Sequence, residues 1–229
     1  MSGMSIGFRV YEKVERAPAA LVKRLAECDT ADIADVTRQA ATMRGLHRIG
    51  NVPGRIAGTA ITVSLPLGGV NMLKMAMAQL RKGDVLVVST RGSADFAMFG
   101  GLLAGGMHKR GVAAMVVDGY VRDADEIAES GFPMFARGVV PNACLADAPG
   151  EVNVPIACGG VVVFPGSIIV ADTNGVACVQ AADAAYVADK VAELHGKHVE
   201  WGPLLAKGEF PGMDSARKAV TDQGCAFIG

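Results

Sequence analysis

The chain has 229 residues, half of them hydrophobic, and 22 Lys and Arg against 23 Asp and Glu; a sizeable core is available, and the even charge, with no basic stripe, argues against a nucleic-acid surface. Five scattered cysteines without a CxxC exclude a zinc knuckle and a disulfide framework, and predict free thiols in a reducing cytoplasm. No apolar run approaches the ~20 residues of a membrane helix, and no charged-then-apolar leader opens the chain, so the expectation is a cytoplasmic protein without a membrane partner.

Residues 1–17 carry no clear pattern and read as a lead-in. Pro18 suits the first turn of a helix over 19–28, with Leu21, Val22, Leu25 and Ala26 at helical spacing. Asp29-Thr30 opens a second short helix to residue 39. Residues 43–55 are dense in Gly, Pro and Asn and predict a loop. Alternation over 56–65 predicts a strand, broken by Pro66-Leu67-Gly68-Gly69. Asn71 then caps a helix to residue 80, with Met72, Met75, Ala76 and Gln79 on one face. Lys82-Gly83-Asp84 turns into a buried strand over 85–89.

The next helix opens at Gly100-Gly101-Leu102-Leu103. Two glycines at a helix start leave bare N–H groups, an anion-binding geometry, although glycine also serves close helix packing. A β-branched apolar run over 112–117 predicts another buried strand, ending at the turn pair Asp118-Gly119. Arg122 and Asp123 follow within four residues. A strand that stops sharply and then presents a guanidinium beside a carboxylate is a natural place for chemistry. Arg clamps carboxylates through paired hydrogen bonds, and Asp is a hard oxygen ligand for Mg2+ or Mn2+. The plainer reading is a surface ion pair at the start of a helix over 123–130.

Beyond a short strand at 134–136 and a loop over 139–152, four short strands (156–158, 161–164, 168–170, 176–179) are separated by Gly159-Gly160, Pro165-Gly166 and Asn174-Gly175. Helices are expected over 181–200 and 215–221. Strands alternate with helices and then cluster, which predicts one α/β domain with a mixed sheet, its core at about 21–180 and a helical tail from 181.

Neither GxGxxG after a strand, nor a Walker A loop, nor a GxSxG elbow occurs. His195 and His198 lie one turn apart, without an obvious third zinc ligand, and fit a solvated helix face better. Lys74 falls in a Met- and Ala-rich helix and reads as a snorkelling lysine rather than a Schiff-base amine.

Gly111-x-x-x-x-Val-Val-Asp118-Gly119-x-x-Arg122-Asp123 resembles the central signature of the RraA-like family. So does Val154-Pro155-Ile156-x-x-Gly159-Gly160-x-x-Val163-x-Pro165-Gly166, continuing to Ala171-Asp172-x-x-Gly175-Val176. The family includes aldolases for 4-hydroxy-4-methyl-2-oxoglutarate and 4-carboxy-4-hydroxy-2-oxoadipate, and the ribonuclease E inhibitor that names it. The resemblance implies a swivelling β/β/α domain, assembled as trimers or paired trimers with active sites between subunits. It implies that Arg122 clamps the pyruvyl carboxylate together with the amides of Gly101, Leu102 and Leu103, and that Asp123 holds Mg2+ or Mn2+. The implied chemistry is a class II retro-aldol cleavage of a 2-oxo acid, with oxaloacetate decarboxylation as a side activity.

Many family aldolases carry an acidic residue immediately before Leu-Leu, where it helps hold metal-bound water; here that position is Gly101. A further acid is expected from a neighbouring subunit's C-terminal helix, with Glu193 and Glu200 as candidates. Two rivals remain. A regulator that binds an RNA-processing enzyme is disfavoured by Arg122-Asp123, which inhibitor-type members lack. A methyltransferase is disfavoured because no glycine-rich loop for S-adenosylmethionine follows a strand.

Overall fold

The computed structural model describes residues 5–50, 54–93 and 95–228. They form two compact units that divide between Ala188 and Asp189. In chain order the first unit runs through β1 (Arg9–Val10), α1 (Ala19–Ala26), α2 (Thr30–Val36), β2 (Thr42–Met43), β3 (His47–Ile49) and β4 (Ile56–Ser64). It continues with α3 (Val70–Ala78), β5 (Asp84–Ser89), α4 (Gly101–Arg110), β6 (Ala114–Val121), α5 (Ala124–Ser130) and β7 (Met134–Val139). Five short strands close it: β8 (Glu151–Val152), β9 (Ile156–Cys158), β10 (Val161–Val163), β11 (Ile168–Ala171) and β12 (Val176–Val179). A long helix, α6 (Ala184–Leu205), begins in this unit and continues in the second, which also holds α7 (Met213–Asp222).

The sheet is mixed. Strands β4, β5, β6 and β7 are parallel neighbours, while β11 and β12 extend it antiparallel beyond β4, and β3 closes it antiparallel to β7. The central strands are apolar on both faces, as strands covered from both sides must be. Leu86, Val88, Met115 and Val117 point toward the helices, against Leu73, Ala76, Met107 and Ile127. Val85, Val87, Ala114 and Val116 point the other way, against Ile156, Cys158 and Val163 of the β9–β10 hairpin. The result is three layers, hairpin on sheet on helices, which is the β/β/α order the resemblance implies. Each fully buried Val, Leu, Ile or Met here stabilises by roughly 1.5–3 kcal/mol.

Several local expectations change. Asp118-Gly119 is not a turn: β6 runs through it to Val121, with a register shift against β7 between Val117 and Tyr120. The pair forms a bulge because tertiary partners hold it in the sheet. The buried Asp118 carboxylate accepts from Arg137 and from the Gly159 amide (2.8 Å). The Thr90 hydroxyl donates to the Asp118 carbonyl (2.8 Å) and fills the space where a side chain on Gly119 would stand.

The lead-in contains β1, parallel to β8, and is tied down by Arg9 with Glu151 and by Arg16 with the buried Asp84 (2.8 Å). The loop expected at 43–55 contains β3, paired with β7, and that at 139–152 contains β8, paired with β4. None of these three short strands shows a period, so only their partners define them. Helix α3 has Gly69 at its N-cap rather than Asn71, whose side-chain amide donates to Asp147 (2.6 Å), and its buried face is Met72, Leu73 and Ala76, with Met75 exposed.

Asp172, at the end of β11, anchors α2. Thr30 donates to it through both its amide (2.8 Å) and its hydroxyl (2.6 Å), and the Asn174 amide adds a third bond (2.8 Å). Burial alone would raise this carboxyl, but the hydroxyl and amides outweigh it and hold it below the usual range. A depressed folded pKa contributes stability that is present above the unfolded value of about 3.9 and is lost as pH falls through the folded one. Asp172→Asn is therefore expected to lower stability by about 2 kcal/mol at pH 7, and the gap to the parent protein should shrink below about pH 4. Denaturant melts at pH 7 and pH 3 measure both.

Candidate active site

Strand β6 ends at Val121, and the chain turns at once. The Arg122 amide donates to the Phe99 carbonyl (2.9 Å) and the Met98 amide to the Tyr120 carbonyl (2.8 Å). The segment before α4 thus runs beside the end of β6, and both meet at the carboxyl ends of the parallel strands. In open α/β sheets that end is where ligands bind.

Asp123 occupies the N-cap position of α5 with left-handed backbone (φ 58°, ψ 47°) and makes no side-chain cap bond. For a residue with a Cβ this conformation costs roughly 1–2 kcal/mol, and it turns the carboxylate toward the amino end of α4. Its Oδ2 accepts from the Gly101 amide at 3.3 Å and lies 3.3 Å from Arg122 Nε. Gly100 has extended backbone (φ −143°, ψ 178°) that any residue adopts, so it is not a glycine for conformational reasons. A Cβ there would land on the Asp123 carboxylate; the bare Cα admits that group.

Arg122 and Asp123 line a pocket of about 220 Å³ together with Leu73, Phe99, Leu103 and Cys144. The amides of Gly101, Leu102 and Leu103 are the first of α4, where a helix supplies no acceptor of its own, and the first intrahelical bond is from Ala104 to Gly100 (3.2 Å). Both side chains are partly solvent-exposed, Arg122 at 45% and Asp123 at 34%. Burial pushes the Cys144 thiol up, which makes it a neutral wall rather than a nucleophile. A guanidinium, a carboxylate and the first amides of a helix around one small cavity can bind a carboxylate-bearing molecule and a hard cation side by side.

The five residues singled out from the sequence therefore converge on one place. The Ala143-Cys144 wall was not foreseeable, because nothing in that loop distinguishes it. A larger cavity, about 660 Å³, opens elsewhere among Phe8, Met72, Met75 and Pro149. It is almost wholly apolar, and Asn71 and Asp147 at its edge already bond to each other. Lys74 is exposed there. In the second unit the rings of His195 and His198 are 6.2 Å apart, Glu193 pairs with Lys190 (2.7 Å), and Glu200 is exposed. No helix among the described residues is long and apolar enough to cross a membrane.

The model of the RraA-like family, described as Aldolase/RraA, matches residues 30–178. The chain belongs to the RraA-like family. A Thermus thermophilus protein named 4-hydroxy-4-methyl-2-oxoglutarate aldolase is 30% identical over 149 residues, 65% of this chain and 90% of that protein. A Halalkalibacterium halodurans protein whose name gives the same activity provisionally is 36% identical over 126 residues, 55% of this chain and 60% of its own length. The chain thus spans well under two thirds of that relative. The crystal structure of Streptomyces coelicolor RraAS2, described as an unusual member of the RNase ES inhibitor RraA family, superposes with a TM-score of 0.74. It is 28% identical, and the match covers 84% of this chain and 100% of that one. Within this RraA-like chain the residues that resemble the family's central signature form the bulged end of β6 and the turn into α5.

Proposed function

We propose that this RraA-like protein is a divalent-metal-dependent lyase that cleaves a 4-hydroxy-2-oxo acid to pyruvate and a second oxo acid, with oxaloacetate decarboxylation as a side activity. The observation that carries this reading is that Arg122 and Asp123 line one pocket of about 220 Å³ with Leu102 and Leu103 of α4, whose Gly101 amide donates to Asp123. The name of the Thermus relative supports the reaction class.

The donors fit a hard cation. Asp123 offers a partly exposed carboxylate whose two contacts, both at 3.3 Å, fall on the same oxygen. That leaves coordination capacity, and oxygen donors suit Mg2+ or Mn2+. When bound, such an ion supplies Lewis-acid stabilisation of the charge that develops on the keto oxygen. The rest falls to this chain's residues. Arg122 pairs with the carboxylate of the oxo acid, and the amides of Gly101, Leu102 and Leu103 add hydrogen bonds to it. Held in this way, the substrate gives its 4-hydroxyl proton to solvent water at the open rim, the C3–C4 bond breaks to leave a carbonyl at C4, and the pyruvate enolate takes up a proton from water at C3. Loss of CO2 from oxaloacetate leads to the same enolate.

Exposed Leu102 and the shallow pocket suit an assembly, a homotrimer or hexamer with sites between subunits, in which Glu193 or Glu200 of a neighbour completes the site. The test is pyruvate release from 4-carboxy-4-hydroxy-2-oxoadipate and from oxaloacetate, with Mg2+ and with EDTA. Metal-dependent release from the first is the expected result. Release from oxaloacetate alone would narrow the activity to decarboxylation. Release from neither would favour the second reading, a regulator of an RNA-processing enzyme, which the name of the Streptomyces structure brings in and a pull-down recovering a ribonuclease would support.

A further inference from the structure

Gly101 has no conformational reason to be glycine. It opens α4 and is not among the residues with positive φ. Its reason is steric: a Cβ on Gly101 would land on the Cβ and the carboxylate of Glu126. Gly100, one residue earlier, leaves the space that the carboxylate of Asp123 occupies. Two consecutive glycines with unstrained backbone thus each make room for one acid from α5, where the pattern alone allowed helix packing.

Asp123 and Glu126 are three residues apart, so they share one face of α5. Like charges at that spacing oppose each other by a few tenths of a kcal/mol, and the Asp123 side chain makes no cap bond to α5 in return. What gathers them is the amino end of α4, whose partial positive charge favours carboxylates, next to the pocket that Arg122 and Asp123 line. Glu126 itself is exposed to solvent.

From this we infer that Glu126 is the second carboxylate of the metal site, standing where a side chain at position 101 would otherwise stand and acting on the cation through water. The inference deepens the proposed function and rests on it. It would also offset the missing acid immediately before Leu102-Leu103, because Glu126 brings a carboxylate beside Gly101 from the neighbouring helix.

The experiment is Mn2+ binding to the full chain, followed by calorimetry and by electron paramagnetic resonance of the free ion, with pyruvate release measured alongside. Glu126→Gln keeps the shape and loses the charge. Residues that support a metal from outside its direct ligands typically change affinity by about 10–100-fold, so the expected result is at least a tenfold weaker Kd, with turnover partly recovered at saturating Mn2+. Gly101→Ala retains every charge but displaces Glu126, and should weaken binding in the same direction. If Asp123→Asn weakens Mn2+ binding while Glu126→Gln leaves Kd unchanged, Glu126 merely caps α4 and the inference is overturned, with the proposed function intact. If the parent protein binds no Mn2+ at all, the proposed function fails and this inference fails with it.

Discussion

Arg122→Ala should lower kcat/KM for the oxo acid by roughly 10²–10³-fold, the usual cost of removing one donor aimed at developing charge. The guanidinium stands at the pocket rim with 45% of its side chain exposed, and among the described residues it pairs with Asp123 at 3.3 Å. Exposed pairs of that kind contribute about 0–1 kcal/mol, so the melting temperature should hardly move. Function is lost without the fold. Arg122→Lys is expected to recover only part of the rate, because an ammonium keeps the charge but not the two-pronged grip on a carboxylate. Steady-state kinetics at saturating Mg2+, paired with thermal melts, decide the matter. Unchanged turnover in the alanine variant would remove Arg122 from the chemistry and with it the main support for a lyase.

The second large effect is expected at Asp123, where activity and stability should move apart. Asp123→Gly deletes the carboxylate, so metal-stimulated turnover should fall to the level seen with EDTA. Lewis-acid stabilisation contributes several kcal/mol to such reactions, which corresponds to a loss of three or more orders of magnitude. Yet the left-handed backbone at this position (φ 58°) is one that glycine adopts without penalty. Relief of that strain, about 1 kcal/mol, offsets the charge lost from the first turn of α5, a contribution of about 0.3–1 kcal/mol. Stability is therefore expected to stay level or rise. A variant that lost both activity and more than about 2 kcal/mol would mean that Asp123 supports the fold in ways its contacts do not suggest. Strain that persists at a functional position, when a glycine would remove it, is what a retained active-site residue looks like.

Much of the frame was legible in the chain. The continuous apolar runs at Val85–Ser89 and Ala114–Val117 predicted strands covered on both faces, because only a doubly buried strand can carry side chains of one kind at every position. The helix starts, the glycine-bounded strands after Val154 and the placing of Arg122-Asp123 after a strand were readable for the same reason: burial periodicity and turn residues are local signals. The resemblance to the RraA-like family rested on these same residues.

The sequence by itself determined an α/β chain with a mixed sheet, its longer helices and its central strands, and that Arg122 and Asp123 leave the end of a buried strand near a glycine-opened helix. Only the tertiary structure decided the rest. Asp118-Gly119 reads as a turn, and Arg137, Gly159 and Thr90, all distant in the chain, make it a bulge. The two- and three-residue strands β1, β3 and β8 exist only through their partners. Gly100 and Gly101 look alike in the sequence, as close-packing or anion-binding residues. Their real constraint is that the carboxylates of Asp123 and Glu126 come down on their bare Cα atoms. A contact between residues more than twenty apart leaves no periodicity behind, so it can be found only where the fold has brought the two helices together.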